Sequence, residues 1–213
     1  MDPRKLQHPF SLLLAGPSGC GKTFFVMKLI RQCQTHIQPP IQRVIYVYHQ
    51  YQPVFAQLQQ ECPVPMELAE SLDVVQFDST VPTLLIVDDH MDNPTMEQRV
   101  AEFFIKKCHH GNTSIAYMVQ NVFHASKHHR TISLNAHYIW IGKNPRSADQ
   151  ILHLAMQTFP KRHHFLREAY QDATTQPYGY LFLDFKQTTP EEYRVKTHVL
   201  DETPTVYVPK VRV

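Results

Sequence analysis

The stretch Gly16-Pro17-Ser18-Gly19-Cys20-Gly21-Lys22-Thr23 decides the reading of this 213-residue chain. It holds half of the glycines in a chain that has only 6 of them against 16 prolines. The spacing is GxxxxGK[ST]. That pattern suits a loop whose backbone N–H groups turn inward around an anion, which needs small residues and unusual φ/ψ. Lys22 is then placed to neutralise the β- and γ-phosphates of a nucleotide, and the Thr23 hydroxyl to ligate Mg²⁺. The flanking sequence fits. Phe10–Ala15 is a short apolar run that reads as a buried strand. Lys22–Cys33 carries Phe25, Leu29 and Ile30 at helical spacing. A helix starting there aims its positive dipole end at the same phosphate. Cys20 fits as a small residue of the loop, and its thiol beside Lys22 is a candidate for alkylation.

A nucleotide site of this kind needs a second half, an apolar strand ending in carboxylate. Thr83-Leu84-Leu85-Ile86-Val87-Asp88-Asp89 is such a strand. Asp88 is expected to hold Mg²⁺ through water, and Asp89 to orient or deprotonate the attacking water. The bland alternative for Asp88 and Asp89 is a turn or a helix cap. Gln120 and Asn121 close the next apolar strand, Ser114–Val119. Polar groups at strand C-termini line the ligand crevice of open α/β sheets. Gln120 could therefore hold the lytic water or sense the γ-phosphate, or could merely cap a turn. A strand inserted between the loop strand and the Asp88 strand would bring Gln120 to the γ-phosphate. Arg146, in Lys143-Asn144-Pro145-Arg146, and Arg130 are candidates for an arginine finger. Arg146 is preferred because it directly follows a strand at His137–Ile141.

Strands are also expected at Arg43–Tyr48, Val74–Phe77, Tyr178–Phe185 and Tyr193–Val199. Helices are expected at Pro53–Glu61, Thr95–Lys107, Ala148–Gln157 and His163–Tyr170, with Pro204–Val213 an extended tail. Alternating strands and helices imply an α/β fold, with a mainly parallel central sheet covered by helices on both faces. Residues 1–185 read as one core and 186–213 as a short C-terminal β extension and tail, not an independent domain.

The net charge of +2 conceals a pattern. Residues 101–170 hold 9 Lys/Arg against 3 Asp/Glu, whereas residues 1–100 hold 7 against 10. A basic block in a near-neutral chain suggests a polyanion site, with a solvated charged face as the alternative. Lys161-Arg162-His163-His164 with Arg167, and Lys127-His128-His129-Arg130, are its clusters, with Lys106 and Lys107 nearby. The 4 cysteines are widely spaced and no CxxC occurs, so free thiols in a reducing, intracellular compartment are expected. Cys108-His109-His110, His124 and His128-His129 match no compact zinc spacing, so no structural zinc is expected. No apolar run is long enough to span a bilayer.

Gly16–Thr23, Leu84–Asp89 and Met118-Val119-Gln120-Asn121 together resemble the FtsK/HerA superfamily of DNA-translocating ATPases. The later stretches Gln120-Asn121-Val122-Phe123-His124, Ile132–Tyr138, Lys143–Arg146, Pro177–Leu181 and Val206–Val208 resemble its viral genome-packaging branch, that of poxvirus-like and Polinton/adintovirus-like elements. The resemblance covers residues 8–208. It implies a RecA-like P-loop NTPase that binds ATP and Mg²⁺. It further implies a pentameric or hexameric ring that pumps double-stranded DNA into a capsid at its vertex, in an infected host cell or associated with the virion. The implied roles are phosphate and Mg²⁺ binding for Lys22 and Thr23, Mg²⁺ binding for Asp88 and sensing for Gln120. Arg146 matches the inter-subunit finger loosely. Asp89 stands where many relatives have Glu, one methylene longer, which favours a water-mediated role. Lys127, Arg130, Lys161, Arg162 and Arg167 are the candidate DNA contacts, gripping phosphates without reading bases. Two other classes remain open: a P-loop nucleotide kinase, and a non-catalytic scaffold that binds ATP to assemble a ring.

Overall fold

The computed structural model describes residues 5–88, 93–107, 111–123, 126–146 and 148–210. The main sheet is built from β2 (Ser11–Ala15), β4 (Arg43–Val47), β5 (Met66–Ala69), β6 (Thr83–Val87), β7 (Thr113–Val119), β8 (Tyr138–Gly142), β9 (Tyr180–Asp184), β10 (Val195–Thr197) and β11 (Thr205–Val206). Its order is β11-β10-β9-β8-β2-β7-β6-β4-β5. All pairings from β8 through β5 are parallel, and β8–β9, β9–β10 and β10–β11 are antiparallel. β1 (Leu6–Gln7) and β3 (Ile37–Gln38) form a separate two-stranded pair.

Each central strand is apolar along both faces because both faces are covered. In β2, Leu12 and Leu14 face one layer and Leu13 and Ala15 the other. In β6, Leu84 and Ile86 part from Leu85 and Val87 in the same way. The first layer is α1 (Lys22–Arg31), α2 (Cys33–His36) and α3 (Val54–Glu61), burying Phe25, Leu29, Cys33, Phe55 and Leu58. The second is α4 (Pro94–Glu102), a π-helical turn Phe103–Lys107, α5 (Lys127–Leu134), α6 (Ala148–Thr158) and α7 (His163–Ala173). It buries Val100, Phe104, Ile132, Leu154, Leu166 and Tyr170. The expected α/β fold, a mainly parallel sheet covered on both faces with a short C-terminal β extension, is the one observed, and its C-terminal strands are antiparallel.

Two local expectations need correction. Val74–Phe77 is not a strand: the edge strand is Met66–Ala69, which pairs with β4. Val74 is 67% exposed, Val75 packs on the core, and the Arg43 guanidinium holds the Gln76 carbonyl at 2.8 Å. The stretch is β-branched, but strand preference yields here to packing of Val75 on the core and to the Arg43 contact. The helix expected over Thr95–Lys107 is α-helical only to Glu102 and then widens into the π turn. Within the expected β extension, Thr205 and Val206 of the extended tail pair with Thr197 and Lys196.

Candidate functional site

β2 ends at Ala15, and the chain turns at once into the loop of Gly16–Gly21. The Gly16 N–H donates to the Val119 carbonyl on β7 at 3.2 Å, and the Cys20 N–H to the Pro17 carbonyl at 3.2 Å. Gly19 and Gly21 sit at φ +77° and +105°, a region that side-chain-bearing residues rarely enter. Gly21 is the N-cap of α1 and offers no side chain to its first-turn N–H groups; no acidic residue stands in that turn. Those donors are left for an anion. Lys22 Nζ donates to the carbonyls of Gly16 and, at 3.2 Å, of Pro17, so the ammonium lies over the loop's own mouth. Ser18 and Gly19 are exposed, and Pro17, Lys22 and Thr23 half-buried.

Cys20 is buried. Its Sγ lies 2.6 Å from where a Cβ on Gly16 would stand and 2.8 Å from the corresponding point on Gly142. Burial pushes the thiol pKa up, more than Lys22 lowers it. The thiol is therefore packing, not a poised thiolate, which fits the small-residue role and disfavours alkylation.

Asp88 follows the last residue of β6. Its N–H donates to the Val47 carbonyl at 2.9 Å. The Tyr46 hydroxyl, from the neighbouring β4, donates to its Oδ2 at 3.3 Å. Burial, with Asp88 close by, pushes the Tyr46 phenol far up, so it stays a neutral donor. Nothing in the sequence around Tyr46 announces this partner, because the two residues meet only through the β4–β6 register. Thr23 and Asp88 offer a hydroxyl and a carboxylate, the hard oxygen donors that Mg²⁺ takes beside water and phosphate. Asp89 lies outside the described residues.

β7 lies between β2 and β6, with Val119 level with Ala15 and Tyr117 level with Val87. Gln120 therefore leaves the sheet between the glycine loop and Asp88, and it is exposed. Asn121 accepts from the Gln150 amide of α6. Behind the site, Ser126 caps α5 and donates to Glu97 Oε2 of α4, while His129 lies with Nδ1 3.8 Å from Glu97 Oε1 and Nε2 2.8 Å from the Val122 carbonyl. This buried cluster joins the helix after the Asp88 strand to the helix after the Gln120 strand.

Arg146 stands on the same sheet edge, beyond β8. Its N–H donates to Asn144 Oδ1 at 3.1 Å, and the Tyr170 hydroxyl braces the turn between Gly142 and Asn144. Arg146 is exposed, and its guanidinium makes no hydrogen bond or ion pair with a described residue. Lys127, Arg130, Lys161, Arg162 and Arg167 are exposed as well. Lys161 and Arg162 do not sit with the glycine loop. The C-terminal end of α7 reaches that edge, since the Tyr170 hydroxyl donates to the Gly142 carbonyl at 3.1 Å and Lys143 Nζ to the Thr175 carbonyl at 2.9 Å. The helix has 11 residues, so its first turn, with Lys161 and Arg162 beside it, lies about 16 Å nearer the opposite edge. There Lys161, Arg162, His164 and Lys210 share a groove with Glu168 and Asp172. Lys127 and Arg130 line another, along α5.

Among the described residues no cluster of His, Cys, Asp and Glu could hold a metal ion. Cys108, His109, His110 and His124 lie outside them. No described helix is long and apolar enough to cross a membrane.

Glycine loop, strand order and sheet together define a P-loop ATPase fold. No protein-family model and no curated protein sequence matches the chain. Solved structures do. The genome packaging NTPase B204 from Sulfolobus turreted icosahedral virus 2, solved with ATP-gammaS, aligns over 98% of this chain and 99% of its own, with TM-score 0.51 and 11% identity. B204, the DNA-packaging ATPase from Sulfolobus turreted icosahedral virus, aligns over 96% and 100%, with TM-score 0.50 and 10% identity. At such identities the likeness is one of fold.

Proposed function

We propose that this protein is an ATP-hydrolysing motor that moves double-stranded DNA into a viral capsid, working as a ring of identical subunits in the infected cell. The observation that carries the reading is the strand order. β7 between β2 and β6 sets a strand-end glutamine between the phosphate loop and Asp88, which suits activation of water more than transfer to an acceptor. The full-length fold likeness to the two B204 proteins, a genome packaging NTPase solved with ATP-gammaS and a DNA-packaging ATPase, supports the same reading.

In this proposal Gly16–Thr23 cradle the phosphates of ATP. Lys22 leaves its loop carbonyls to neutralise the β- and γ-phosphates. Thr23 and Asp88 hold Mg²⁺, with Tyr46 fixing the Asp88 carboxylate. Gln120 orients the lytic water and Asp89 assists through water. Arg146 reaches the γ-phosphate of a neighbouring subunit, which suits an exposed guanidinium without a partner among the described residues. Lys161, Arg162 and Arg167, with Lys127 and Arg130, contact DNA phosphates.

Phosphate release by the purified protein, with and without duplex DNA, tests the reading. Release stimulated by DNA and abolished in Lys22→Ala is expected. Phosphate transfer to a nucleoside monophosphate would assign the protein to the kinases. ATP binding without turnover, at high protein concentration and with DNA, would make it an assembly scaffold.

A further inference from the structure

Two of the most exposed large apolar side chains stand beside the phosphate loop. Phe24 follows Thr23 in the first turn of α1 and is 69% exposed, while Phe25 next to it is buried. Tyr178 is 67% exposed and belongs to the turn between α7 and β9. That turn is tightly held. The Gly179 N–H donates to the Gln176 carbonyl at 3.2 Å, and the Gly179 carbonyl accepts from Lys143. A Cβ on Gly179 would lie 2.4 Å from the Ala173 carbonyl oxygen, so no larger residue fits there. Tyr178 itself sits at φ +62°. A bulky side chain in the left-handed region is unfavourable and points to a functional constraint. Its Cβ lies 3.3 Å, and its ring Cδ1 3.6 Å, from where a Cβ on Gly21 would stand. The strained tyrosine thus rests against the N-cap of α1.

The strand order gives these rings a direction. Asp88 and Gln120 mark the β6–β7 side of the loop as the γ-phosphate end. The α-phosphate and the nucleoside must then leave on the other side, over β8 and β9. Tyr178 precedes β9, and Phe24 stands at the helix end where the chain of phosphates emerges. Neither ring has a role in packing the core.

We propose that Phe24 and Tyr178 form the nucleobase platform of the site, stacking a purine of the bound nucleoside triphosphate. This rests on the nucleotide-binding reading above. Stacking between aromatic faces tolerates any purine and favours purines over the smaller pyrimidines. Energies of this kind correspond to roughly tenfold to a hundredfold in affinity.

The test compares ATP-gammaS with inorganic tripolyphosphate, both with Mg²⁺, by titration of the full chain. Tripolyphosphate shares the phosphates and lacks the base. Wild type is expected to bind ATP-gammaS at least tenfold more tightly than tripolyphosphate. Phe24→Ala and Tyr178→Asn, the latter chosen because asparagine tolerates the left-handed backbone, are expected to lose that preference and bind tripolyphosphate as wild type does. Tyr178→Phe should retain it. Unchanged ATP-gammaS affinity in both ring-less variants would overturn the platform, as would equal weakening of both ligands or a wild type with no preference. Loss of both ligands in Lys22→Ala shows the phosphate site separately. A wild type that binds neither ligand overturns the nucleotide reading and the platform with it.

Discussion

Lys196→Met is expected to destabilise the protein strongly, although residue 196 is far from the phosphate loop. Lys196 Nζ lies 3.0 Å from Asp184 Oδ2, and both side chains are only 5% exposed. Asp184 is the last residue of β9 and Lys196 the middle of β10, so the pair bolts the C-terminal extension onto the sheet. Asp184 Oδ1 accepts from the Thr189 hydroxyl at 2.9 Å and from the Lys186 N–H at 3.1 Å. Methionine keeps the apolar stem and removes the charge. The carboxylate is then buried with two neutral donors and without its ion-pair partner, which costs about 3–5 kcal/mol. In a domain of this size about 1 kcal/mol shifts Tm by 2–4 °C, so a fall of about 6–20 °C is expected. Replacing both partners, Asp184→Leu with Lys196→Met, leaves no unpaired charge and should recover much of the loss. Thermal unfolding followed by circular dichroism at neutral pH reads these two variants and Asp184→Leu alone. A Lys196→Met protein within about 1 kcal/mol of wild type would refute the argument. So would a double variant as unstable as the two single losses added together. A single cooperative transition in every variant is the result expected if residues 186–213 belong to the same folding unit as the core.

Gln120→Ala should lower phosphate release by about a hundredfold or more while nucleotide binding persists, since the side chain is asked to act on water, not on the bound phosphates; equal losses of binding and turnover would point to a structural role. Arg146→Ala should also lose turnover and keep binding. Mixing it with Lys22→Ala subunits should restore part of the activity, because some interfaces then pair an intact loop with an intact arginine; mixtures that stay inactive would place the arginine in its own subunit's site. Cys20 and Cys33 should resist iodoacetamide at pH 8 in the folded protein, as judged by mass mapping. Burial raises both thiols, Cys33 to about 12, so thiolate is scarce.

Several features were legible along the chain because they are local. The glycine spacing of the loop, the apolar runs of β2, β6 and β7, and the polar residues that end them each lie within a few residues of one another. Periodicity alone misplaced the edge strand. Met66-Glu67-Leu68-Ala69 has weaker strand character than Val74–Phe77, yet it is the segment in register with Val44–Val47. Pairing with a neighbour outweighed intrinsic preference there. Tyr46 beside Asp88 and Tyr178 against Gly21 carry no local signal of those contacts, because each partner lies far along the chain.

The sequence by itself determined the glycine loop and the strand that ends in carboxylate, because a contiguous turn with positive φ at Gly19 and Gly21 admits only certain residues. Tertiary structure alone decided that β7 enters between β2 and β6, and that Tyr46 reaches Asp88. It also brought Tyr178, about 150 residues along the chain, against Gly21. Those contacts come from strand order and packing of distant segments, and no local pattern encodes them.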